Sequence, residues 1–178
     1  DGACLRLDVF RPREPGHSLR PAIVQVHGGA WITGAKWAQG VPLLGQLASL
    51  GWVGFNVDYR LSPRAAFPAH LTDVKRAIAW VREHAEEYGV DPSFVVVTGG
   101  SAGAHLAALV GLTAGDPEYQ PGFEAADPSV AAVAAFYGIY DLTERRHPLG
   151  RVVRWALERV VMKARYEDDL EAFVRASP

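Results

Sequence analysis

Three short, almost uninterrupted apolar runs, residues 22–26, 52–57 and 94–98, are separated by stretches whose apolar positions recur at three- and four-residue steps. A strand with one wet face alternates polar and apolar residues. Runs without that alternation are expected of strands covered on both faces, as in parallel sheets flanked by helices. The intervening stretches, 41–50 and 70–88, have helical spacing, clearest at Leu71, Val74, Ile78 and Val81. This order predicts an α/β fold, a mostly parallel sheet with helices on both faces. Leu5, Leu7 and Val9 alternate with Arg6 and Asp8, which predicts an edge strand stopped by Pro12 and Pro15. A further strand is expected within 130–140, after a loop at 114–128 rich in Gly, Pro and acidic residues. An amphipathic helix over 151–166, with Val153, Leu157, Val160 and Val161 on one face, and a short helix over 168–175 complete the pattern. No internal repeat or linker divides the 178 residues, so 1–178 reads as a single domain.

Charge narrows the partners. Eighteen Lys and Arg stand against 20 Asp and Glu, a net charge of -2, so the chain lacks the basic footprint that nucleic acid or anionic lipid calls for. Arg145, Arg146, Arg151 and Arg154 cluster, but on a helix such a group reads as a solvated face. Cys4 is the only cysteine, which excludes an internal disulfide and a cysteine-based metal framework. No apolar run reaches the ~18 residues that span a bilayer. Residues 1–10 lack the charged and apolar regions of a signal peptide, which leaves a cytoplasmic default and an open compartment. The strand pattern begins almost at the first residue, and an upstream segment is therefore expected.

Gly99-Gly100-Ser101-Ala102-Gly103 follows the apolar run 94–98 directly and precedes a small-residue helical stretch at 104–113. This is G-x-S-x-G between a strand and a helix, the setting in which a serine is presented on a sharp turn. The need is steric: strand and helix backbones pass close on either side, so the flanking residues must lack side chains. The turn also sets the hydroxyl at a helix N-terminus, where free N–H groups favour negative charge. At the end of the run 22–26 stands His27-Gly28-Gly29-Ala30-Trp31. Acyl transfer builds negative charge on a carbonyl oxygen, and each pre-aimed N–H donor is worth on the order of 3–4 kcal/mol in the transition state. Consecutive glycines let backbone approach the substrate, which nominates the Gly28, Gly29 and Ala102 amides. His27 reads as a brace for this loop, and Trp31 as either a substrate-pocket wall or a buried support.

Together these motifs resemble the esterase and lipase group of the α/β-hydrolase superfamily related to hormone-sensitive lipase and to bacterial carboxylesterases. The resemblance runs through HGGAWITG at 27–34, DYRLSPRAAFPAHLTDV at 58–74, DPS at 91–93, GGSAGAHLA at 99–107 and YGIYDLT at 137–143. It implies Ser101 as nucleophile, Gly28, Gly29 and Ala102 as oxyanion donors, and Asp58, Tyr59, Arg60 and Asp73 as internal anchors. The reaction implied is carboxylic ester hydrolysis through an acyl-enzyme on a small-molecule ester or lipid, with no metal or organic cofactor. An amidase such as an arylformamidase, or a non-catalytic binding module on the same fold, are the alternatives.

A serine of this kind needs a histidine base and a carboxylate, which in this fold follow the nucleophile in the order acid, then histidine. After Ser101 the chain holds only His105 and His147. His105 lies one helical turn past the nucleophile and reads as a packed residue. His147, pairable on paper with Asp141 or Asp116, falls in the loop after the predicted strand 130–140. Asp168 and Asp169 read as helix caps. The expectation is a chain truncated before its catalytic Asp and His, an α/β-hydrolase fold incomplete at its C-terminal end, with a bare sheet edge prone to self-association. Residues 151–175 are candidate cap helices, with Trp155 and Met162 toward an acyl pocket.

Overall fold

A computed structural model describes residues 4–14, 18–143 and 149–178. Its five strands form one sheet in the order β1-β3-β2-β4-β5. β1 (Leu7–Phe10) is the predicted edge strand and runs antiparallel to β3 (Val53–Val57). β2 (Arg20–Val26), β4 (Val90–Gly100) and β5 (Ala132–Phe136) extend the sheet in parallel. The unbroken apolar runs are the three central strands, and their alternate residues feed opposite faces. Ile23 and Val96 pack with Leu44 of helix α1 (Val41–Ser49). Val24, Val26, Phe55, Val95 and Val97 join the main core with Leu71, Val74 and Ile78 of α2 (Ala69–Glu83) and Leu106 and Leu109 of α4 (Ala102–Leu112).

Several boundaries differ from the sequence expectation. The helix expected over 70–88 is two: α2 ends at Glu83, and after His84 a single turn, α3 (Ala85–Tyr88), closes on left-handed Gly89. β4 starts earlier than its apolar run, because Asp91 Oδ1 accepts from the Ser93 amide at 2.9 Å and folds residues 91–94 into an irregularity between two registers with β2. β5 is half the expected length, since Tyr137 turns the chain to φ 46° directly after Phe136. The helix over 151–166 begins as α5 (Arg151–Ala156) and widens into π-helical turns over Leu157–Met162 before Lys163 ends it at φ 54°. The wider winding moves Leu157, Val161 and Met162 into the main core in place of the regular 3.6-residue face. Helix α6 (Leu170–Arg175) adds Phe173 to that core, and Asp169 caps it by accepting from the Ala172 amide at 3.1 Å, as expected. Among the described residues no helix is long and apolar enough to cross a membrane.

Candidate active site

β2 and β4 run side by side and end together, Val26 opposite Gly99, so the loop leaving β2 and the turn leaving β4 meet at one edge of the sheet. After β4 the chain passes through Ser101 at φ 55°, ψ -121° and enters α4 at once. That region is nearly closed to side-chain-bearing residues, and strain of this kind concentrates at functional positions. Neighbouring backbone explains the glycines: a Cβ on Gly99 would lie 2.5 Å from the carbonyl carbon of Gly103 and 2.7 Å from the Val26 oxygen, and one on Gly103 would lie 2.7 Å from the His27 oxygen. The strained turn is held from both sides. The Ser101 amide donates to the Phe136 carbonyl at 3.0 Å, and the Ser101 carbonyl accepts from the His105 amide at 3.1 Å. Serine at this helix position ordinarily caps the first turn. Ser101 does not: its hydroxyl makes no capping bond, and the half-buried side chain is left available at the N-terminus of α4.

The loop after β2 presses on the same turn, since a Cβ on Gly28 would stand 2.8 Å from the Gly100 oxygen. Gly29, Ala30 and Trp31 come next, with φ of 121°, 53° and 61°, and the Gly29 carbonyl accepts from the Ile32 and Thr33 amides at 3.0 and 2.9 Å. One expected donor is not available. The Gly28 N–H already donates to Gln39 Oε1 at 2.8 Å, so Gly28 gives the loop its close approach rather than a free amide. Among the described residues the amides of Gly29 and Ala30 make no hydrogen bond, and neither does that of Ala102 in the orphan first turn of α4. Neither Ala30 nor Gln39 is of a residue type that marks a donor loop in the sequence, where the doublet Gly28-Gly29 is the visible signal.

Trp31 is 4% exposed and gives its indole N–H to His105 Nδ1 at 3.2 Å, so it supports the loop from within instead of walling a pocket. His105 in turn must carry its proton on Nε2, which lies 2.7 Å from the Ala176 carbonyl oxygen. Burial holds its pKa down at about 4 and both nitrogens are engaged, which makes it a packing residue. His27 braces the loop as expected: its ring stacks on Tyr59 with centroids 4.4 Å apart, Nδ1 lies 2.7 Å from the Gly28 oxygen, and the Tyr59 hydroxyl donates to the His27 carbonyl at 3.0 Å. Burial lowers its pKa. The remaining anchors also close. Asp58 Oδ1 accepts from the Lys36 amide at 2.7 Å, and Asp73 receives Arg60 Nε and Nη2, each at 2.8 Å.

Asp141 Oδ1 accepts from the Thr143 amide at 2.8 Å and Asp116 Oδ1 from the Glu118 amide at 3.0 Å, both local turn contacts. His147 lies outside the described residues. Among the described residues no histidine ring hydrogen-bonds to the Ser101 hydroxyl, and no group of three or more His, Cys, Asp or Glu side chains is placed to hold a metal ion.

A mostly parallel sheet in which β4 delivers a strained serine into α4, beside a glycine loop from the neighbouring β2, defines the α/β-hydrolase fold. Residues 7–178 match the BD-FAE family model, and the chain belongs to that family. It is 49% identical over 174 residues to Esterase LipQ of Mycobacterium tuberculosis, covering 97% of this chain and 41% of that protein. It is 45% identical over 178 residues to the probable carboxylic ester hydrolase LipM of the same organism, covering 99% of this chain and 41% of that protein. The Thermogutta terrifontis esterase Est2 superposes with a TM-score of 0.79 at 29% identity, covering all of this chain and 61% of that one. The chain thus spans about two fifths of the length of the curated relatives it matches.

Proposed function

We propose that the protein is a serine carboxylic ester hydrolase that works through an acyl-enzyme on Ser101. The single observation carrying this reading is the Ser101 hydroxyl, which occupies a capping position without capping and sits on a turn strained to φ 55°. In the proposed course Ser101 Oγ bonds to the ester carbonyl carbon as its proton passes to a general base outside the described residues. The negative charge moves to the carbonyl oxygen, and the amides of Gly29, Ala30 and Ala102 receive it. Collapse expels the alcohol with that proton, and water repeats the sequence to release the acid. LipQ, LipM and Est2 are named as esterases or ester hydrolases, which supports the same chemistry.

The experiment is fluorophosphonate labelling of the protein as encoded, paired with p-nitrophenyl esters of short and long acyl chain and an arylformamide. Labelling and ester turnover that both vanish in Ser101→Ala support the esterase. Preferred cleavage of the arylformamide moves the assignment to an amidase, and absent labelling moves it to a binding module.

Two smaller readings belong with it. Val152 and Trp155 of α5 are 80% and 61% exposed while Leu157 and Val161 are core, which supports a helix serving as cap on its outer side. Among the described residues β5 pairs with β4 alone and leaves Val133 and Phe136 exposed, which supports self-association of the 178-residue chain through that edge. A monodisperse monomer in light scattering refutes the latter.

A further inference from the structure

We infer that Gln39 is a positioning residue of the oxyanion loop: its side-chain carbonyl holds the Gly28 amide and thereby sets the direction of the two N–H groups beyond it. The inference rests on the esterase reading above. Of the amides of residues 28–31, only that of Gly28 has a partner among the described residues, and that partner is Gln39 Oε1 at 2.8 Å. The three residues after Gly28 all have positive φ and belong to no regular element; the Ile32 and Thr33 amides on the Gly29 carbonyl hold them as a turn, and Gln39 ties the start of that turn, through Gly28, to the body of the protein. Gly28 is also closely packed at its α-carbon, since a Cβ there would lie 2.8 Å from Gly100 O and 3.2 Å from Gln39 Oε1.

Gln39 is itself fastened to the sheet. Its backbone carbonyl accepts from Asn56 Nδ2 at 3.0 Å, and the same Asn56 amide donates to the Lys36 carbonyl. Asn56 is fully buried in β3, opposite Gln25 of β2, and the Lys36 amide is bound by Asp58 just past the end of β3. Loop 36–39 is thus tied to the sheet at both ends, and the Gln39 side chain carries that fixed position across to Gly28. A neutral acceptor suits the post. A carboxylate would hold the amide equally well but would set a negative charge beside the place where the oxyanion forms.

Placement errors near 1 Å in such a donor array cost up to ~100-fold in rate without loosening ground-state binding. Gln39 is a surface residue, so replacing it leaves the core intact. The test uses the protein as encoded and p-nitrophenyl butyrate, with Gln39→Met, which matches glutamine in length but lacks the oxygen, and Gln39→Ala beside it. The expected result in both is a kcat at least about tenfold lower with KM within about twofold, while affinity for a trifluoromethyl ketone, which mimics the tetrahedral oxyanion, weakens by the same factor as kcat. An unchanged kcat in either folded variant, or a loss confined to KM, overturns the inference alone. Wild-type protein that turns over no ester overturns the esterase reading beneath it.

Discussion

Trp31 donates its indole N–H to Nδ1 of His105 across 3.2 Å, and the two rings meet edge to face with centroids 5.0 Å apart. Because His105 Nε2 faces the Ala176 carbonyl oxygen at 2.7 Å, one buried imidazole joins the glycine loop after β2, helix α4 and the residue just past α6.

His105→Leu orphans both of those partners inside the core. Each unpaired buried group costs about 1–3 kcal/mol, so the variant is expected to lose about 3 kcal/mol, read as a lower urea midpoint at unchanged m-value. Trp31→Phe removes one donor and is expected to cost less than His105→Leu.

Acid should weaken the fold through the same residue. Burial lowers the folded-state pKa of His105 to about 4, and burial does the same to His70, against an unfolded value of 6.5. Between those values the unfolded chain binds more protons than the folded one. The stabilisation is therefore complete above about pH 6.5 and is lost as pH falls toward 4, at up to about 1.4 kcal/mol per pH unit for each histidine. Urea unfolding at pH 7.5 and 5 reads the difference. His105→Leu is expected to flatten the slope by one proton, and an unchanged slope contradicts it.

The backbone at Ser101 gives a second stability test. Alanine at position 101 keeps the strain of φ 55°, ψ -121°, whereas glycine adopts that region freely. Ser101→Gly is therefore expected to exceed Ser101→Ala in stability by about 1 kcal/mol or more, with both inactive.

Two glycines make opposite predictions for the same substitution. Gly45 lies in α1 with nothing within 4 Å of a new Cβ, so Gly45→Ala should stabilise by about 0.5–1 kcal/mol. Gly103→Ala would drive a Cβ into the backbone oxygens of Val26 and His27. It is expected to cost more than about 3 kcal/mol and to abolish labelling of Ser101, as thermal melts and a fluorophosphonate probe would show.

What the sequence made legible were features whose physical demand acts on local residue type. Continuous apolar runs gave the covered strands, and the glycines around Ser101 gave the sharp turn, because only residues without side chains fit where β4 and α4 cross. The hydrogen bond from Gly28 to Gln39 and the link from Trp31 through His105 to Ala176 left no such trace. They join loops and a helix 11, 74 and 71 residues apart, and side-chain bonds of that reach impose no period on the sequence. The π-helical widening over Leu157–Met162 was hidden for a related reason: its apolar residues fit an ordinary helix equally well until the core chooses which of them to bury.

The turn at Ser101 is clamped by the Val26 and His27 carbonyls on one side and by Phe136 on the other, partners some 75 residues upstream and 35 downstream. The one local bond, from the His105 amide to the Ser101 carbonyl, leaves the peptide before Ser101 unheld until those partners arrive. The turn therefore takes form late in folding, after β2, β4 and β5 have docked, and relief of its strain should slow the rate of unfolding while leaving the rate of folding almost untouched.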